Sequence, residues 1–391
     1  MKVLFFTYDF PYPTISGGKT RAYNLLKYAS EGIDFTLFSF IREDFKIKNI
    51  EKIKELGIKN IQLFKRKKLR DPKNLLTLFD PKGSIFKRLY YRKDIALELE
   101  KIVHHEKIDL IHFESFYTAF YINDSLKKFG TRLILGTENI ENKIYMDFAK
   151  HLSPFLLKPI YYWEALKIRK EEEALFNLSD VNIAVTNNEA DYIKRNGNRC
   201  FVVENGIDLN FFKYKEKQYK NDKVILFVGN FSYFPNLDAV NSFYHNVFVK
   251  IEDDKIFFKI IGKGADKLSF AKNKNVLVQN YIDDIRNAYY MADIFISPIR
   301  FGGGTNFKIL EAMACGTPVV AFYQHAKEIG AKDKEEILYA NDFTQFKDQL
   351  VTLIIDSKLR NKIIQNARIF VQDNCSWNII GKKLNHIWKT I

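Results

Sequence analysis

Short apolar, β-branched and aromatic runs alternate along the chain with longer segments of helical periodicity. Because a continuous apolar run between helices is typical of a strand buried on both faces, the pattern predicts parallel sheets covered by helices. The strands predicted in the first half are Lys2–Tyr8, Asp34–Ile41, Asn60–Phe64, Asp109–Glu114, Arg132–Thr137, Val181–Thr186 and Cys200–Glu204. The helices predicted there are Lys19–Ser30, Ile85–His105, Phe155–Asn177 and Asn188–Asn196.

The second half repeats the alternation. Its predicted strands are Lys223–Val228, Ile256–Ile261, Asn275–Val278, Ile294–Ser297 and Pro318–Phe322. Its predicted helices are Leu237–Phe248, Asp284–Met291, Lys308–Ala314 and Leu359–Asp373. Both halves therefore have the pattern of a doubly wound α/β domain.

A polar stretch rich in Lys and Asn, Asp208–Asp222, separates the two halves. We predict an N-terminal domain over 1–207 and a C-terminal domain over 208–375. The apolar positions of Trp377–Trp388 recur at helical spacing, so the last residues, 376–391, are expected to form a helix that packs back on the N-terminal domain. Two such Rossmann-like domains, facing each other across a cleft, would bind ligands at the carboxyl ends of their strands.

Composition narrows the class of protein. The 391 residues are 47% hydrophobic and 28% charged, which excludes a disordered chain. Cys200, Cys315 and Cys375 have no metal-ligand spacing and are too few for a disulfide scaffold, which favours a reducing, cytoplasmic location. No apolar run reaches the length of a transmembrane helix, and the first residues lack the features of a signal peptide.

Positive charge is concentrated in one segment of a chain whose net charge is +14. Between Lys65 and Lys93, eleven Lys and Arg residues are opposed only by Asp71 and Asp80, with apolar and aromatic residues interleaved. The segment fits either a solvated, Lys-rich face or a surface that binds an anionic membrane. We do not expect nucleic acid as a partner, because no binding motif accompanies the charge.

A glycine-rich loop follows the predicted strand that ends at Ser297. Gly302, Gly303, Gly304 and Thr305 expose backbone N–H groups just before a predicted helix, which suits a phosphate.

Charged residues lie on both sides of this loop. Arg300 and Lys308 can neutralise a diphosphate, and Glu311, one turn after Lys308, can accept hydrogen bonds from a ribose diol. The alternative is a plain glycine turn beside a surface ion pair.

Two loops in the first half are also candidates. Gly17 and Gly18 precede a predicted helix, where their N–H groups either bind an anion or simply begin the helix. The segment Glu138–Asn142 directly follows a predicted strand. Its carboxylates and amides are candidates for contacts with a sugar or an acceptor, or else Asn139 caps a helix.

Together these motifs resemble the GT-B glycosyltransferases of family GT4, in the branch with a glycine triplet. Gly303 and Glu311 have the spacing of the family's E-x7-E motif, with Gly303 in place of the first Glu. The other stretches that carry the resemblance are Gly17–Gly18, Glu204–Asp208, Phe227–Val240 and Pro298–Met313.

The chain departs from the family at two places. Many members carry an Arg and a Lys after the first strand of the second domain, where this chain has Asn230. Arg300 and Lys308 are expected to supply that charge instead. Glu138 stands where many members carry a His.

The resemblance implies a retaining transferase. It would move a sugar from a UDP- or GDP-linked donor to a hydroxyl of a glycan or polyprenyl-linked glycan, in surface polysaccharide or glycoconjugate synthesis. The implied catalytic residues are Lys308, Arg300 and Glu138. The implied donor-binding residues are Gly17, Gly18, Asn230, Gly303, Gly304, Thr305 and Glu311. No metal and no other cofactor is implied.

Two other classes remain open from the sequence. One is a non-catalytic GT-B partner that binds glycan or stabilises an active transferase. The other is a different GT-B enzyme, such as a nucleotide-sugar epimerase or a phosphorylase, although the chain shows no cofactor-lysine motif. The expected location is the cytoplasm, with docking on the inner membrane surface if Lys65–Lys93 binds lipid.

Overall fold

The computed structural model describes residues 1–67, 83–151, 157–195, 197–217, 221–300 and 307–391. The chain forms two compact units. The N-terminal unit comprises Met1–Asn205 together with Trp377–Ile391, and the C-terminal unit comprises Gly206–Ser376.

The N-terminal unit is built on a parallel sheet with the strand order β3-β2-β1-β4-β5-β6-β7. Its strands are β1 (Lys2–Thr7), β2 (Asp34–Ile41), β3 (Asn60–Lys65), β4 (Leu110–Glu114), β5 (Arg132–Gly136), β6 (Val181–Ala184) and β7 (Cys200–Val202). Its helices are α1 (Gly17–Tyr28), α2 (Asn49–Lys54), α3 (Ile85–Tyr90), α4 (Lys93–Glu106), α5 (Phe116–Ala119), α6 (Asp124–Lys127), α7 (Glu141–His151), α8 (Lys158–Leu178) and α9 (Asn187–Lys194). The doubly wound architecture predicted for the first half is confirmed.

The C-terminal unit is a second parallel sheet, with the order β10-β9-β8-β11-β12-β13. Its strands are β8 (Lys223–Val228), β9 (Ile256–Ile261), β10 (Val276–Gln279), β11 (Ile294–Ser297), β12 (Val319–Phe322) and β13 (Leu338–Ala340). The helices from here to the end of the chain are α10 (Phe234–Asn246), α11 (Ile285–Met291), α12 (Phe307–Ala314), α13 (Tyr323–Ala326), α14 (Phe343–Ile355), α15 (Ser357–Asn374) and α16 (Trp377–Thr390). The fold is GT-B, with two Rossmann-like domains.

The single helix predicted over Ile85–His105 is wrong, because α3 and α4 are separate. The backbone between them is extended at Tyr91 and Arg92. The buried Tyr121 hydroxyl donates to the carbonyl oxygen of Tyr90 at 2.6 Å and accepts from the N–H of Arg92 at 3.0 Å. One side chain thus satisfies backbone groups that a continuous helix would have paired.

Helix α16 belongs to the N-terminal unit and packs closely against α1. A Cβ atom on Gly381 would lie 2.5 Å from the backbone of Tyr28, so only glycine allows this approach. Trp388 packs edge-on against Phe5, and the Asn385 amide donates to the carbonyl oxygen of Ala29 at 2.7 Å. Helix α16 is thereby fixed to α1 and to β1, an interior strand of the first sheet.

Each unit has its own apolar core. In the N-terminal unit, Phe6 lies among aromatic rings from β2, β4 and the segment after α5. In the C-terminal unit, one core cluster contains Phe243 and Phe258, and another contains Tyr289 and Phe295. Among the helices described, none is both long enough and apolar enough to span a membrane.

Candidate active site

Four of the predicted site residues follow two neighbouring strands of the second sheet. Asn230 comes after β8, while Arg300, Lys308 and Glu311 come after β11, which pairs with β8 in parallel. The carboxyl ends of both strands therefore lie at the same edge. Three further predictions, Gly303, Gly304 and Thr305, lie outside the described residues.

Lys308 lies in the first turn of α12 and points back to the end of β8. Its Nζ donates to the carbonyl oxygen of Val228 at 3.1 Å and to Oδ1 of Asn236 at 2.9 Å. Nζ also lies 4.8 Å from the ring centre of Phe227. Burial lowers the pKa of Lys308 to about 8, although the charge of Glu311 opposes the shift. The lysine is therefore a cation, held at the strand edge, that titrates unusually close to neutrality.

Glu311 lies one helical turn further along α12. Its Oε2 accepts a hydrogen bond of 2.6 Å from the hydroxyl of Tyr289, a fully buried residue of α11. Burial raises the pKa of Glu311 above its usual range, while Tyr289 and Lys308 act against that shift. Tyr289 thus fixes one carboxylate oxygen and the orientation of the group.

Arg300 is turned toward α10. Its Nε and NH2 atoms donate to the carboxylate of Asp238 at 3.1 and 2.7 Å, and NH2 also donates to Oγ of Ser242 at 2.8 Å. The guanidinium is thus bound by side chains of α10. Its assignment to a diphosphate stays a prediction.

The loop after β8 is held by internal hydrogen bonds. Asn230 Oδ1 accepts from the N–H of Ser232 at 3.0 Å, and its carbonyl oxygen accepts from the amide of Asn236 at 3.1 Å. Since Asn236 also binds Lys308, this one side chain joins two predicted site residues. Gly262, at φ +139°, follows β9, and a Cβ there would lie 1.9 Å from the carbonyl oxygen of Gly229. Glycine at 262 is therefore needed for the two strand ends to approach.

In the N-terminal unit, the structure brings Gly18 and Glu138 together. A Cβ on Gly18 would lie 2.6 Å from Oε1 of Glu138 and 2.3 Å from the hydroxyl oxygen of Tyr8. Tyr8 donates to Oε2 of Glu138 at 3.3 Å. A side chain at position 18 would therefore displace the Glu138 carboxyl group or the Tyr8 hydroxyl from these positions. Gly17 begins the same helix.

The Glu138 carboxyl is electrostatically unusual. Burial, and then the negative charge of Glu114, raise the pKa of Glu138 to about 7, against the effects of Arg21 and Tyr8. A carboxyl group with this pKa is present in both protonation states near neutrality, so it can accept a hydrogen bond or donate one.

The other polar residues after β5 help to begin α7. The carboxylate of Glu172, on α8, accepts from the backbone N–H of Glu141 at 2.7 Å and of Asn142 at 3.0 Å. The cap of this helix start thus comes from Glu172, whereas the sequence suggested Asn139. Burial and the charge of Glu172 raise the pKa of Glu141 to about 8.

Two family models match the chain. The model described as "Glycosyltransferase Family 4" covers residues 15–211, and the model described as "Glycosyl transferases group 1" covers residues 222–356. The chain belongs to glycosyltransferase family 4. The two matched ranges include every site residue described above, in both units, except Tyr8.

A curated relative has nearly the same length as this family 4 glycosyltransferase. An uncharacterized glycosyltransferase of Methanocaldococcus jannaschii is 23% identical, over 97% of this chain and 96% of the relative.

Two solved structures share the fold of this glycosyltransferase. Sucrose-phosphate synthase from Thermosynechococcus elongatus aligns with a TM-score of 0.74 at 13% identity, over 100% of this chain and 98% of that one. Anabaena HepE in complex with UDP aligns with a TM-score of 0.70 at 13% identity, over 100% of both chains. At these identities the likeness shows the fold.

Sequence reasoning on this glycosyltransferase missed Tyr289, Asn236 and Tyr8. The position of Tyr8 just after β1 was an available signal, because its side chain belongs to the same strand edge as Glu138. Nothing in the spacing of Tyr289 or Asn236 sets either apart from a core residue or a helix-surface residue. Within the described ranges, no group of three or more His, Cys, Asp or Glu side chains is placed to hold a metal ion.

Proposed function

We propose that this chain is a retaining glycosyltransferase that moves a sugar from a UDP- or GDP-linked donor to a hydroxyl of a glycan or polyprenyl-linked glycan. The product would serve surface polysaccharide or glycoconjugate synthesis. The observation that carries the proposal is the first half of α12, where a partly buried cation and an oriented carboxylate lie one turn apart, beside the carboxyl ends of β8 and β11. The UDP bound by HepE, which has the same fold, supports a nucleotide donor.

In the proposed mechanism, Lys308 stabilises the negative charge that grows on the leaving diphosphate. The bond from the anomeric carbon to the diphosphate oxygen breaks, and the acceptor oxygen bonds to that carbon on the same face. The leaving diphosphate takes the acceptor's hydroxyl proton, so no protein nucleophile and no metal is required. Cations and N–H groups fixed in advance suit this task. Arg300, Asn230 and the 303–305 loop are assigned to the same diphosphate.

Glu311 is assigned to the donor ribose and Glu138 to the reacting sugars. The contact with Tyr289 leaves the Glu311 carboxylate fixed in one orientation, which suits the two hydroxyls of a ribose diol. In the N-terminal unit, Gly17 and Gly18 are assigned to the donor, and Glu138 to a hydrogen bond with a sugar hydroxyl. The pKa of Glu138, about 7, allows that bond in either direction.

The Glu311→Gln variant tests the donor site. We expect its dissociation constant for the matching nucleoside diphosphate to rise about 10- to 100-fold, as for loss of a charged hydrogen-bond acceptor. The wild-type chain is first incubated with UDP- and GDP-sugars, and release of nucleoside diphosphate is followed by NMR; binding is then measured by calorimetry.

The exposed Glu252 provides the control, since Glu252→Gln should bind like wild type. An unchanged constant for Glu311→Gln would remove the ribose assignment. If the wild-type chain neither releases nor binds any nucleoside diphosphate, the non-catalytic partner becomes the better reading.

A basic surface on the N-terminal unit is proposed to bind the anionic inner face of a membrane. Lys67 Nζ donates to the carbonyl oxygens of Arg88 and Tyr91, and Arg92 donates to that of Lys65, so the end of β3 is joined to α3 and α4. The basic residues exposed there, which we call the β3–α4 surface, are Lys65, Lys67, Lys87, Arg88 and Lys93. The part of the predicted segment over residues 68–82 lies outside the described residues.

Charge reversal tests this surface. We expect the triple variant Lys87→Glu, Arg88→Glu, Lys93→Glu to bind vesicles containing phosphatidylglycerol at least about 100-fold more weakly, at about 1 kcal/mol for each basic residue. Vesicle flotation of the full chain measures the change.

A second triple variant carries the same change of charge at exposed lysines elsewhere on the unit: Lys101→Glu, Lys128→Glu, Lys382→Glu. It should bind nearly as wild type does. Equal losses in the two variants would mean that only net charge matters, and the β3–α4 surface would then be an ordinary solvated face.

A further inference from the structure

One partly buried lysine of the C-terminal unit is not among the proposed donor contacts yet bonds to the elements that carry them. Lys217 Nζ donates to the carbonyl oxygen of Tyr289 at 2.8 Å and to Oγ1 of Thr317 at 2.7 Å, and it also contacts the carbonyl oxygen of Ala292. The Thr317 hydroxyl in turn donates to the carbonyl oxygen of Tyr289 at 2.8 Å. An ammonium group has three N–H donors, and each has an acceptor here.

These contacts join the carboxyl ends of two helices. Tyr289 and Ala292 lie at the end of α11, where backbone carbonyls lack partners within the helix. Thr317 follows the end of α12, the helix that carries Lys308 and Glu311. Tyr289 is also the residue whose hydroxyl holds Glu311, so Lys217 binds the backbone of the residue that orients the carboxylate.

Placing a lysine ammonium group at this position carries a desolvation cost. Burial lowers the pKa of Lys217 to about 7, and the charge of Asp293 opposes the shift only in part. The Asp293 carboxylate is itself bonded to the backbone N–H of Val224, at 2.7 Å. An apolar side chain would avoid the desolvation cost, but it could not bind three acceptors from two helices at once.

We propose that Lys217 is a positioning residue for the nucleotide donor. It fixes the spacing of α11 and α12, so that Tyr289 holds Glu311 in the orientation that binds the ribose. This inference rests on the ribose role proposed for Glu311. It adds that a residue at the start of the C-terminal unit, outside the proposed donor contacts, sets donor affinity.

Removal of the ammonium should therefore weaken donor binding. We expect Lys217→Met to raise the dissociation constant of UDP or GDP, whichever the wild-type chain binds, about tenfold, while kcat at saturating donor falls less than twofold. Calorimetry on the full chain measures binding. Thr317→Val removes the same link from the other side, keeps the volume of the side chain, and should shift affinity in the same direction.

Arg360 offers a matched control in the same unit. Its buried guanidinium donates to the carbonyl oxygens of Leu353 and Ile354 at the end of α14, a helix that carries no proposed donor contact. Arg360→Met should lower the melting temperature and leave nucleotide affinity unchanged. If it weakens binding as much as Lys217→Met does, the effect is general destabilisation and the proposal is wrong.

A double-variant cycle tests the route through Glu311. In the Glu311→Gln background, Lys217→Met should weaken binding by less than twofold, because the group it positions is already altered. Full additivity would overturn the proposal. Failure of the donor site itself is distinguishable, since then Glu311→Gln alone would leave affinity unchanged or the wild-type chain would bind neither UDP nor GDP.

Discussion

Replacement of Lys308 by alanine is expected to reduce sugar transfer about 10²- to 10³-fold at saturating donor, the range seen when one fixed donor to a growing negative charge is lost. Lys308 lies at the edge where β8 and β11 end, and its ammonium is held by Val228 and Asn236 before any substrate arrives. Little reorganisation is then needed as charge moves onto the diphosphate. The loss should appear in kcat as well as in kcat/KM.

The pH dependence gives an independent check. Because burial lowers the pKa of Lys308 to about 8, kcat/KM for the donor should fall as the pH rises through that value. Lys308→Ala should lack this alkaline fall. The control is Lys362→Ala, at an exposed position of α15, which should keep both the rate and the pH profile of wild type. If Lys308→Ala kept near-full turnover, Lys308 would not be the group that stabilises the leaving diphosphate.

The apolar pattern was enough to predict the sheets, because buried parallel strands are continuous hydrophobic runs. The exception is β13, whose three residues are too few to show periodicity, and the helix after it, α14, was missed as well. The break between α3 and α4 could not be predicted from the local sequence either, because it depends on the hydroxyl of Tyr121, a distant residue in the chain.

The order of the parallel strands was enough to predict which loops carry the site. Parallel strands bring their carboxyl ends to one edge, so Gly18 could be expected near Glu138 from the strands before them. The partners that set the chemistry could not be expected in this way. Tyr289 meets Glu311, and Asn236 meets Lys308, only because separate helices pack side by side.

The largest expected effect on stability comes from a buried ion pair in the N-terminal unit. Arg21 Nε donates to Oε1 of Glu114 at 2.7 Å, and both side chains are about 1% exposed. Arg21 NH1 also donates to the carbonyl oxygen of Val203 and to the Asn205 side chain, where the chain leaves this unit. Breaking such a pair leaves a buried charge uncompensated, so Arg21→Met should lower the free energy of unfolding by about 3–5 kcal/mol.

The contribution of the Glu114 charge to stability can be tested separately from the burial of its side chain. Trp388 Nε1 donates to Nδ1 of His112, at 3.2 Å, so the proton of His112 lies on Nε2, 2.6 Å from the second oxygen of Glu114. Glu114→Gln keeps the shape but adds N–H groups where donors already point. It should destabilise as Arg21→Met does, and the double variant should be less destabilised than the sum of the two.

At low pH, the free energies of unfolding of wild type and Glu114→Gln should become similar. Although burial acts in the other direction, the charge of Arg21 and the hydrogen bond from His112 lower the pKa of Glu114 from 4.5 to about 2. The stability from this carboxylate is therefore present above the unfolded value and is lost as the pH falls toward 2. Glu141 has the opposite sign, since its pKa is raised to about 8, but it contributes equally to both proteins and cancels. Glu138 does not cancel, because the charge of Glu114 helps to raise the pKa of Glu138 to about 7. The two proteins are therefore compared from about pH 5 downward, where Glu138 is protonated in both folded states.

Tryptophan fluorescence can follow this unit alone. All three tryptophans, Trp163, Trp377 and Trp388, lie in the N-terminal unit, so urea unfolding monitored by their emission reports its stability and not that of the other unit. Glu55→Gln, which alters an exposed pair with Lys52, is the surface control and should change little. A difference in the free energy of unfolding between wild type and Glu114→Gln that stays constant from about pH 5 to about pH 3 would mean that Arg21 does not depend on the Glu114 charge.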